Sequence, residues 1–240
     1  MLKNWSMHSN YVARRNRNND GDDRTAPLQA RSRATRNRIL GALARLLGSK
    51  TFDQISVAEL IEAAPCSMSS FYARFPTKEA LLNAFHDRFF EVSTAHIDRA
   101  LSRIASDKAA PELRMRMLVE FVLRSYRDNR GLLRSLILHD RTHADSGFGA
   151  RRRAYKRNVL EAFLAIMRDE NGRPVSPSAR SSAAFALWLV VQAIEQIVLF
   201  DDPMMAPKRI TEREVVEHLT AVLRRTVGIP ESNKKRWAGR

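Results

Sequence analysis

Apolar residues recur at helical spacing through nearly the whole chain after residue 30. In residues 33–49, for example, Ile39, Leu43 and Leu47 follow one another at intervals of four. A period near 3.6 residues places such side chains on one face of an amphipathic helix. No segment shows the strict apolar–polar alternation that is typical of a half-buried strand. The pattern therefore predicts an all-α fold.

Capping residues, prolines and glycines divide this pattern into nine predicted helices. Ser56 and Thr211 each precede a helix, and Glu59 and Glu214 follow them by three residues, which is the capping-box arrangement. Gly228 is the predicted C-cap of the last helix. The predicted helices cover residues 33–49, 56–64, 67–74, a long stretch from 78, 111–129, 132–139, 151–169, 178–200 and 211–227.

Basic residues exceed acidic ones by 41 to 26, which gives the 240-residue chain a formal net charge of +15. Such a charge favours a polyanionic partner, either nucleic acid or an anionic membrane surface. The excess is concentrated in residues 1–36, in residues 230–240 and in a cluster at 151–157, which is by default a solvated face. The single cysteine, Cys66, excludes an intrachain disulfide and a metal site of several thiolates.

Two short predicted helices, 56–64 and 67–74, have the length and spacing of a helix-turn-helix. The second helix of that motif enters the major groove of DNA, and its first residues meet base edges. Serine and tyrosine hydroxyls suit phosphate or base contacts, and a methionine offers an apolar tip for a thymine methyl group. The residues of this helix that we assign to DNA binding are Ser67, Met68, Ser69, Ser70 and Tyr72.

Basic residues flank the two helices on both sides. Lys78 opens the next helix, where backbone N–H groups and the ammonium together form an anion site. Upstream, Arg31, Arg33 and Arg36 are placed to follow neighbouring phosphates or to enter a minor groove. We predict that all four residues contact DNA.

The stretch Phe71-Tyr72-Ala73-Arg74-Phe75-Pro76-Thr77-Lys78-Glu79 is similar to the most recognisable sequence of TetR-family transcriptional regulators. The resemblance extends over residues 36–82, about a fifth of the chain. It implies homodimers on pseudo-palindromic operators and, usually, repression that a small molecule relieves. Carried over position by position, it places Ser56, Ser67 to Ser70, Tyr72, Arg74 and Lys78 at DNA-facing positions. Met68 and Ser69 stand where lysine and glycine are common, so the family's operator sequences do not carry over.

The resemblance also implies a division of the chain into domains. A three-helix, helix-turn-helix DNA-binding domain spans residues 31–83, and a helical ligand-binding and dimerisation domain spans 84–228. Residues 1–30 are predicted to be a disordered basic arm, and residues 229–240 a basic tail. Helices 178–200 and 211–227 are expected to pair with their copies in a homodimer, since the first is apolar enough to need burial on two sides.

Large apolar side chains in the second predicted domain are candidates for lining an effector pocket, and a filled core is the alternative for each of them. The candidates are Phe85, Phe89, Met117, Phe121, His139, Phe163, Met167 and Trp188. Gln192, Glu195 and Gln196 share a helical face, which is either the solvent side or a polar seam between subunits. They also interrupt the apolar stretch 183–200, so we expect a buried helix there rather than a membrane span.

A competing interpretation concerns His139 and His143, which an α-helix would place on one face with Asp140 between them. That spacing resembles a zinc-protease motif, so a metal sensor or metal-dependent hydrolase is the alternative function. A zinc enzyme needs a third ligand, which the sequence does not indicate, and a helix-end histidine in an effector pocket is favoured. A weaker third interpretation is a membrane-surface or architectural protein, whose basic tails bind a membrane or DNA without sequence recognition. We therefore expect a cytoplasmic regulator that is neither an enzyme nor dependent on a metal or cofactor.

Overall fold

The computed structural model describes residues 28–106, 109–142, 148–167, 177–200 and 210–228. Over these ranges the chain forms α-helices and no strand, which confirms the all-α prediction. The helices are α1 (Leu28–Leu46), α2 (Val57–Ala63), α3 (Met68–Tyr72), α4 (Lys78–Ser106), α5 (Pro111–Asp128), α6 (Arg130–Thr142), α7 (Phe148–Ile166), α8 (Pro177–Leu199) and α9 (Glu212–Thr226). Most of the predicted basic arm, the basic tail and His143 lie outside the described residues.

The predicted helix caps are confirmed. Ser56 Oγ accepts from the Glu59 amide at 3.2 Å, and the Glu59 carboxylate accepts from the Ser56 amide at 2.9 Å. Thr211 and Glu214 form the same box at the start of α9, with distances of 3.3 and 2.8 Å. Gly228 has a φ of +73°, the left-handed conformation that favours glycine after a helix.

Several helices differ in extent from the sequence prediction. Helix α3 covers Met68–Tyr72 rather than 67–74, and α7 covers Phe148–Ile166 rather than 151–169. Helix α1 begins at Leu28 rather than at residue 33, and α6 covers Arg130–Thr142 rather than 132–139. We predicted the start of α6 after Gly131, which follows the polar stretch 127–130, and glycine is a weak helix former. In the structure, Gly131 lies inside α6, where it meets the backbone of Gly48. Close packing therefore outweighs the intrinsic preference of the residue.

The described helices belong to two compact units, each with its own core. The first unit comprises residues 3–93 and 127–153, and it includes α1, α2, α3, the first part of α4, and α6. Its core is built around Ile39, Leu43 and Phe71, and α6 contributes Leu132 and Leu136 to it. A helix distant in sequence thus belongs to the same core as the helix-turn-helix.

The second unit comprises residues 94–126 and 154–240. Its described part contains the end of α4, α5, most of α7, α8 and α9. The core includes Ile104, Phe163, Ile194 and Leu223, so α4, α7, α8 and α9 all contribute to it. Neither unit is one continuous stretch of chain, and the functional division at residue 83 stays a prediction.

Helix α8 alone, among the residues that the structure describes, is long and apolar enough to cross a membrane. It packs with α5, α7 and α9 in the core of the second unit. Glu195, near the C-terminal end of this helix, is buried at 3% exposure. These contacts fit a core helix that still presents an apolar outer face.

Candidate nucleic-acid interface

Helix α3 is anchored by one side chain and exposes the rest of its surface. Phe71 is fully buried in the core of the first unit, and its ring meets Tyr72 edge to face at 5.3 Å. Met68 and Tyr72 lie one turn apart and are 53% and 46% exposed. Both side chains are therefore accessible to another molecule, and their contact with DNA stays a prediction.

The serines at the helix starts serve first as caps. Ser67 Oγ accepts from the Ser70 amide at 3.1 Å, and it also lies 3.1 Å from Ser69 Oγ. Ser56, Ser67 and Ser69 are exposed, whereas Ser70 is half-buried. Ser56 Oγ donates its proton to the Glu59 carboxylate at 3.0 Å. Ser67 and Ser69 share one hydrogen bond, so one of those two hydroxyls keeps a proton for a phosphate oxygen.

Arg74 is tied to the main chain. Its Nη1 donates to the Ser70 carbonyl at 2.7 Å, and its Nε donates to the Ser32 carbonyl at 3.3 Å. The side chain therefore joins the end of α3 to the start of α1, 42 residues away in sequence. The resemblance implied a DNA-facing role for Arg74, and sequence reasoning missed this bracing function.

Cations on α1 line the surface near Ser32. Arg33 and Arg36 are exposed, and Arg31 is half-buried. Arg38 was not among the sequence candidates, but it is exposed too, and its Nη2 donates to Thr35 Oγ1 at 2.9 Å. The first unit thus presents several guanidinium groups on one helix, as phosphate binding requires.

Lys78 occupies the first position of α4. Thr77 Oγ1 accepts from the Ala80 amide at 3.1 Å, which satisfies one of the free N–H groups at this helix end. The Lys78 ammonium lies 4.3 Å from the centre of the Phe52 ring. This distance is within the range of a cation–π interaction, so the aromatic ring holds the charge in a defined place.

An ion pair that sequence reasoning missed holds the start of α2. Lys50, in the turn after α1, pairs with the Glu59 carboxylate. The hydrogen bond from Lys50, followed by those from Ser56, lowers the pKa of Glu59 to about 2. Glu59 therefore stays ionised at neutral pH and keeps both its capping and its ion-pair contacts. The two residues are nine positions apart across a turn, a spacing with no local pattern to reveal it.

The eight pocket candidates fall into different environments within the two units. In the first unit, Phe85 and Phe89 are buried, and the His139 ring lies 5.3 Å from Phe52. In the second unit, Phe121, Phe163 and Met167 are buried, Met117 is half-buried, and Trp188 is 52% exposed. An effector pocket lined by these residues stays a prediction.

Of the two histidines in the alternative metal site, only His139 lies among the described residues. No group of three or more potential ligands that would hold a metal occurs within the described ranges. His139 packs beside Phe52 and lies 6.5 Å from the buried His86 ring. Those two neighbours are an aromatic hydrocarbon and a single imidazole, which make a core environment for His139.

Comparison with known proteins supports the assignment of the N-terminal helices. Residues 39–85 match the family model described as bacterial regulatory proteins, tetR family. The HTH-type transcriptional regulator EthR of Mycolicibacterium smegmatis is 32% identical over 113 residues, which are 47% of this chain and 46% of EthR. An uncharacterized HTH-type transcriptional regulator of Mycobacterium tuberculosis is 30% identical over 42% of this chain and 48% of its own length. The matched stretch thus spans about half of each relative.

Solved structures extend the likeness in fold over most of the chain. Salmonella enterica GusR superposes with a TM-score of 0.57 at 17% identity, covering 86% of this chain and 100% of GusR. A TetR transcription regulator from Haloarcula marismortui gives a TM-score of 0.58 at 18% identity, over 81% of this chain and 96% of that one. At such identities the likeness shows the fold alone.

The fold and the exposed α3 face define an all-α protein of the helix-turn-helix class. Residues 39–85 match the tetR family of bacterial regulatory proteins, and the rest of the chain is similar to solved TetR-family regulators in fold alone. The family and the relatives are regulators, which gives no support to the metal-sensor or hydrolase alternative.

Proposed function

We propose that this protein is a transcriptional regulator that binds an inverted-repeat DNA operator as a homodimer and is released by a small-molecule effector. The observation that carries the proposal is the exposed face of α3, with Met68 and Tyr72 pointing outward. It lies within the 39–85 region that matches the tetR-family model. Repression relieved by an effector, and a cytoplasmic location, follow from the family.

DNA binding divides between two kinds of contact. Met68, Ser69 and Tyr72 face outward on the short helix that would enter the major groove, where apolar and hydroxyl groups read base edges. Arg33 and Arg36 on α1 and Lys78 on α4 supply cations for phosphates on either side. The net charge of +15 adds attraction that is independent of sequence and falls with salt.

Dimerisation is proposed through the outer faces of α8 and α9. Helix α9 covers one side of the apolar α8. Phe185 and Trp188 are 55% and 52% exposed, and their rings stack at 5.8 Å. Paired exposed aromatic side chains on an apolar helix are typical of the core of a protein–protein interface. A second copy of the chain is the occupant that the family resemblance implies.

The effector is proposed to bind within the helical part of the chain and to release the protein from DNA. Met117, Phe121, Phe163 and Met167 are the candidates with buried or half-buried apolar side chains in the second unit. A lining of this kind favours a largely apolar small molecule. A thermal-shift screen of apolar and anionic metabolites, followed by an operator-release assay with each hit, tests this part of the proposal.

Selection of bound sequences from random duplex DNA tests operator recognition. We expect an inverted repeat to emerge, because a two-fold symmetric dimer presents two copies of α3. Equal affinity for all duplexes would contradict the proposal. Tyr72→Ala should weaken binding to the selected site by about 1–3 kcal/mol while the protein stays dimeric. Leu113→Ala removes a similarly exposed apolar side chain from α5 and serves as the matched control.

A further inference from the structure

One stripe of α6 holds the turn that links α1 to α2. Gly131, Ser135 and His139 follow one another at intervals of four, so they share a helix face. A β carbon on Gly131 would lie 1.9 Å from the Gly48 carbonyl oxygen. Ser135 Oγ donates to the Lys50 carbonyl at 2.9 Å and also lies 3.3 Å from the Leu47 carbonyl. Residues 47–52 are thus held by side chains 80 or more positions away.

His139 makes the third contact of this stripe. Its ring centre lies 5.3 Å from that of Phe52, with the two planes at 74°. Such an edge-to-face pair fixes both the position and the tilt of an aromatic ring. Phe52 is buried at 3% exposure and lies two residues after Lys50, whose carbonyl accepts from Ser135. The orientation of Phe52 therefore depends on α6.

The same ring carries the Lys78 ammonium. The Lys78 Nζ atom lies 4.3 Å above the Phe52 ring centre. A lysine has four flexible side-chain torsions, so an unrestrained ammonium would sample many positions. The attraction between the charge and the face of the ring restricts it to one side of Phe52. The position of the Lys78 ammonium therefore depends on the position of the Phe52 ring.

We propose that His139 is a positioning residue for DNA binding: through Phe52 it sets the place of the Lys78 ammonium at the start of α4. Helix α6 thereby influences the contact between Lys78 and a DNA phosphate, although α6 itself does not touch DNA. The proposal rests on the proposed function, because it needs Lys78 to bind a phosphate. It gives His139 a role that neither the effector-pocket interpretation nor the metal interpretation assigned to it.

A purely structural role for His139 predicts a different result. In that case its replacement would lower stability, and the number of phosphates bound by the folded protein would stay the same. The slope of log affinity against log salt concentration counts those phosphate contacts. It therefore separates positioning of a cation from simple core packing.

The experiment measures operator binding as a function of salt for five forms of the full chain. They are the wild type, Lys78→Gln, His139→Leu, His139→Phe and the double variant Lys78→Gln/His139→Leu. Leucine keeps most of the buried volume and removes the aromatic ring, whereas phenylalanine restores the ring. Leu113→Ala, at an exposed position on α5, is the control.

We expect Lys78→Gln to reduce the salt slope by about 1. His139→Leu should reduce the slope in the same direction and weaken binding by about threefold to tenfold. His139→Phe should restore both values towards those of the wild type. The double variant should bind no more weakly than Lys78→Gln alone, because His139 acts through Lys78. Leu113→Ala should leave the slope unchanged.

A second readout needs no DNA. In the wild type, the ring current of Phe52 should shift the NMR signals of the Lys78 ε-methylene protons upfield. Phe52→Leu should abolish that shift, and His139→Leu should reduce it. A wild type that binds no operator overturns the proposed function, and the phosphate role of Lys78 with it. A wild type that binds, together with an unchanged slope and shift in His139→Leu, overturns this inference alone.

Discussion

Gly131 meets the backbone of Gly48 so closely that a β carbon on Gly131 would lie 1.9 Å from the Gly48 oxygen and 2.6 Å from the carbonyl carbon. Real β carbons essentially never approach other heavy atoms below 3.0 Å. The start of α6 therefore rests on the main chain that follows α1, and glycine is the residue that fits there. The contact is backbone against backbone, so no side-chain rearrangement relieves it.

Gly131→Ala should destabilise the first unit by about 1–3 kcal/mol, the usual cost of overpacking. It should also weaken operator binding, because α6 must move away from the turn that leads to α2. Urea unfolding and a DNA-binding titration measure the two effects. Gly228→Ala is the control. An added β carbon there would have nothing within 4 Å, so the variant loses stability only because of the φ of +73°. That variant should lose stability but keep operator affinity at temperatures where it is folded.

Arg74→Ala should lower the free energy of unfolding by about 1 kcal/mol, because two main-chain carbonyls lose a charged donor at a partly exposed site. The salt slope of operator binding should stay at the wild-type value, since the guanidinium is engaged with Ser70 and Ser32. Arg36→Ala, at an exposed position on α1, should instead reduce the slope by about 1. A slope that falls equally in both variants would show that Arg74 binds a phosphate.

Trp188→Ala should shift the protein from dimer to monomer. A stacked, exposed aromatic pair is the kind of residue that dominates an interface, and its truncation typically costs about 2 kcal/mol or more. Sedimentation velocity over a dilution series measures the shift, and Phe185→Ala should act in the same direction. Leu113→Ala on α5 should leave the association unchanged. If both aromatic variants dimerise with the dissociation constant of the wild type, the interface lies elsewhere.

The imidazole of His96 should remain neutral at pH values well below the usual pKa of histidine. Burial, followed by the charges of Arg99 and Arg103, lowers its pKa from 6.5 to about 4, and its ring stacks on Phe121 at 5.4 Å. The unfolded chain binds a proton near pH 6.5 and the folded chain only near pH 4. The histidine therefore costs stability progressively as the pH falls through that window.

An NMR titration of the His96 Cε1 proton should show a midpoint near pH 4. His96→Phe keeps the aromatic ring and removes the titration, so its unfolding free energy should depend less on pH between 6.5 and 4. A midpoint near 6.5 would mean that the ring is solvated and that the stack with Phe121 does not persist in solution.

Local signals were read correctly from the sequence. The capping boxes at Ser56 and Thr211 depend on contacts three residues apart, so the sequence pattern contains both partners. The buried face of α1 follows from apolar periodicity in the same way. The starts of α1, α6 and α7 were missed because polar residues or a glycine stand there and interrupt the apolar periodicity.

The candidate interface shows where sequence reasoning stops. The exposure of Met68 and Tyr72 was inferred from position in the motif, and the structure places both on the surface. The bracing of α1 by Arg74 was not foreseen. Its partner Ser32 lies 42 residues away, and no periodic pattern links the two.

By itself, the sequence determined the helical class, the helix-turn-helix and the basic character of the chain, because each depends on residues close together or on composition. Tertiary structure decided which helices share a core. Ser135 meets Lys50 across 85 residues, and His139 reaches Lys78 through Phe52. Contacts of this kind arise when apolar faces from distant parts of the chain are buried together, and only packing selects which faces meet.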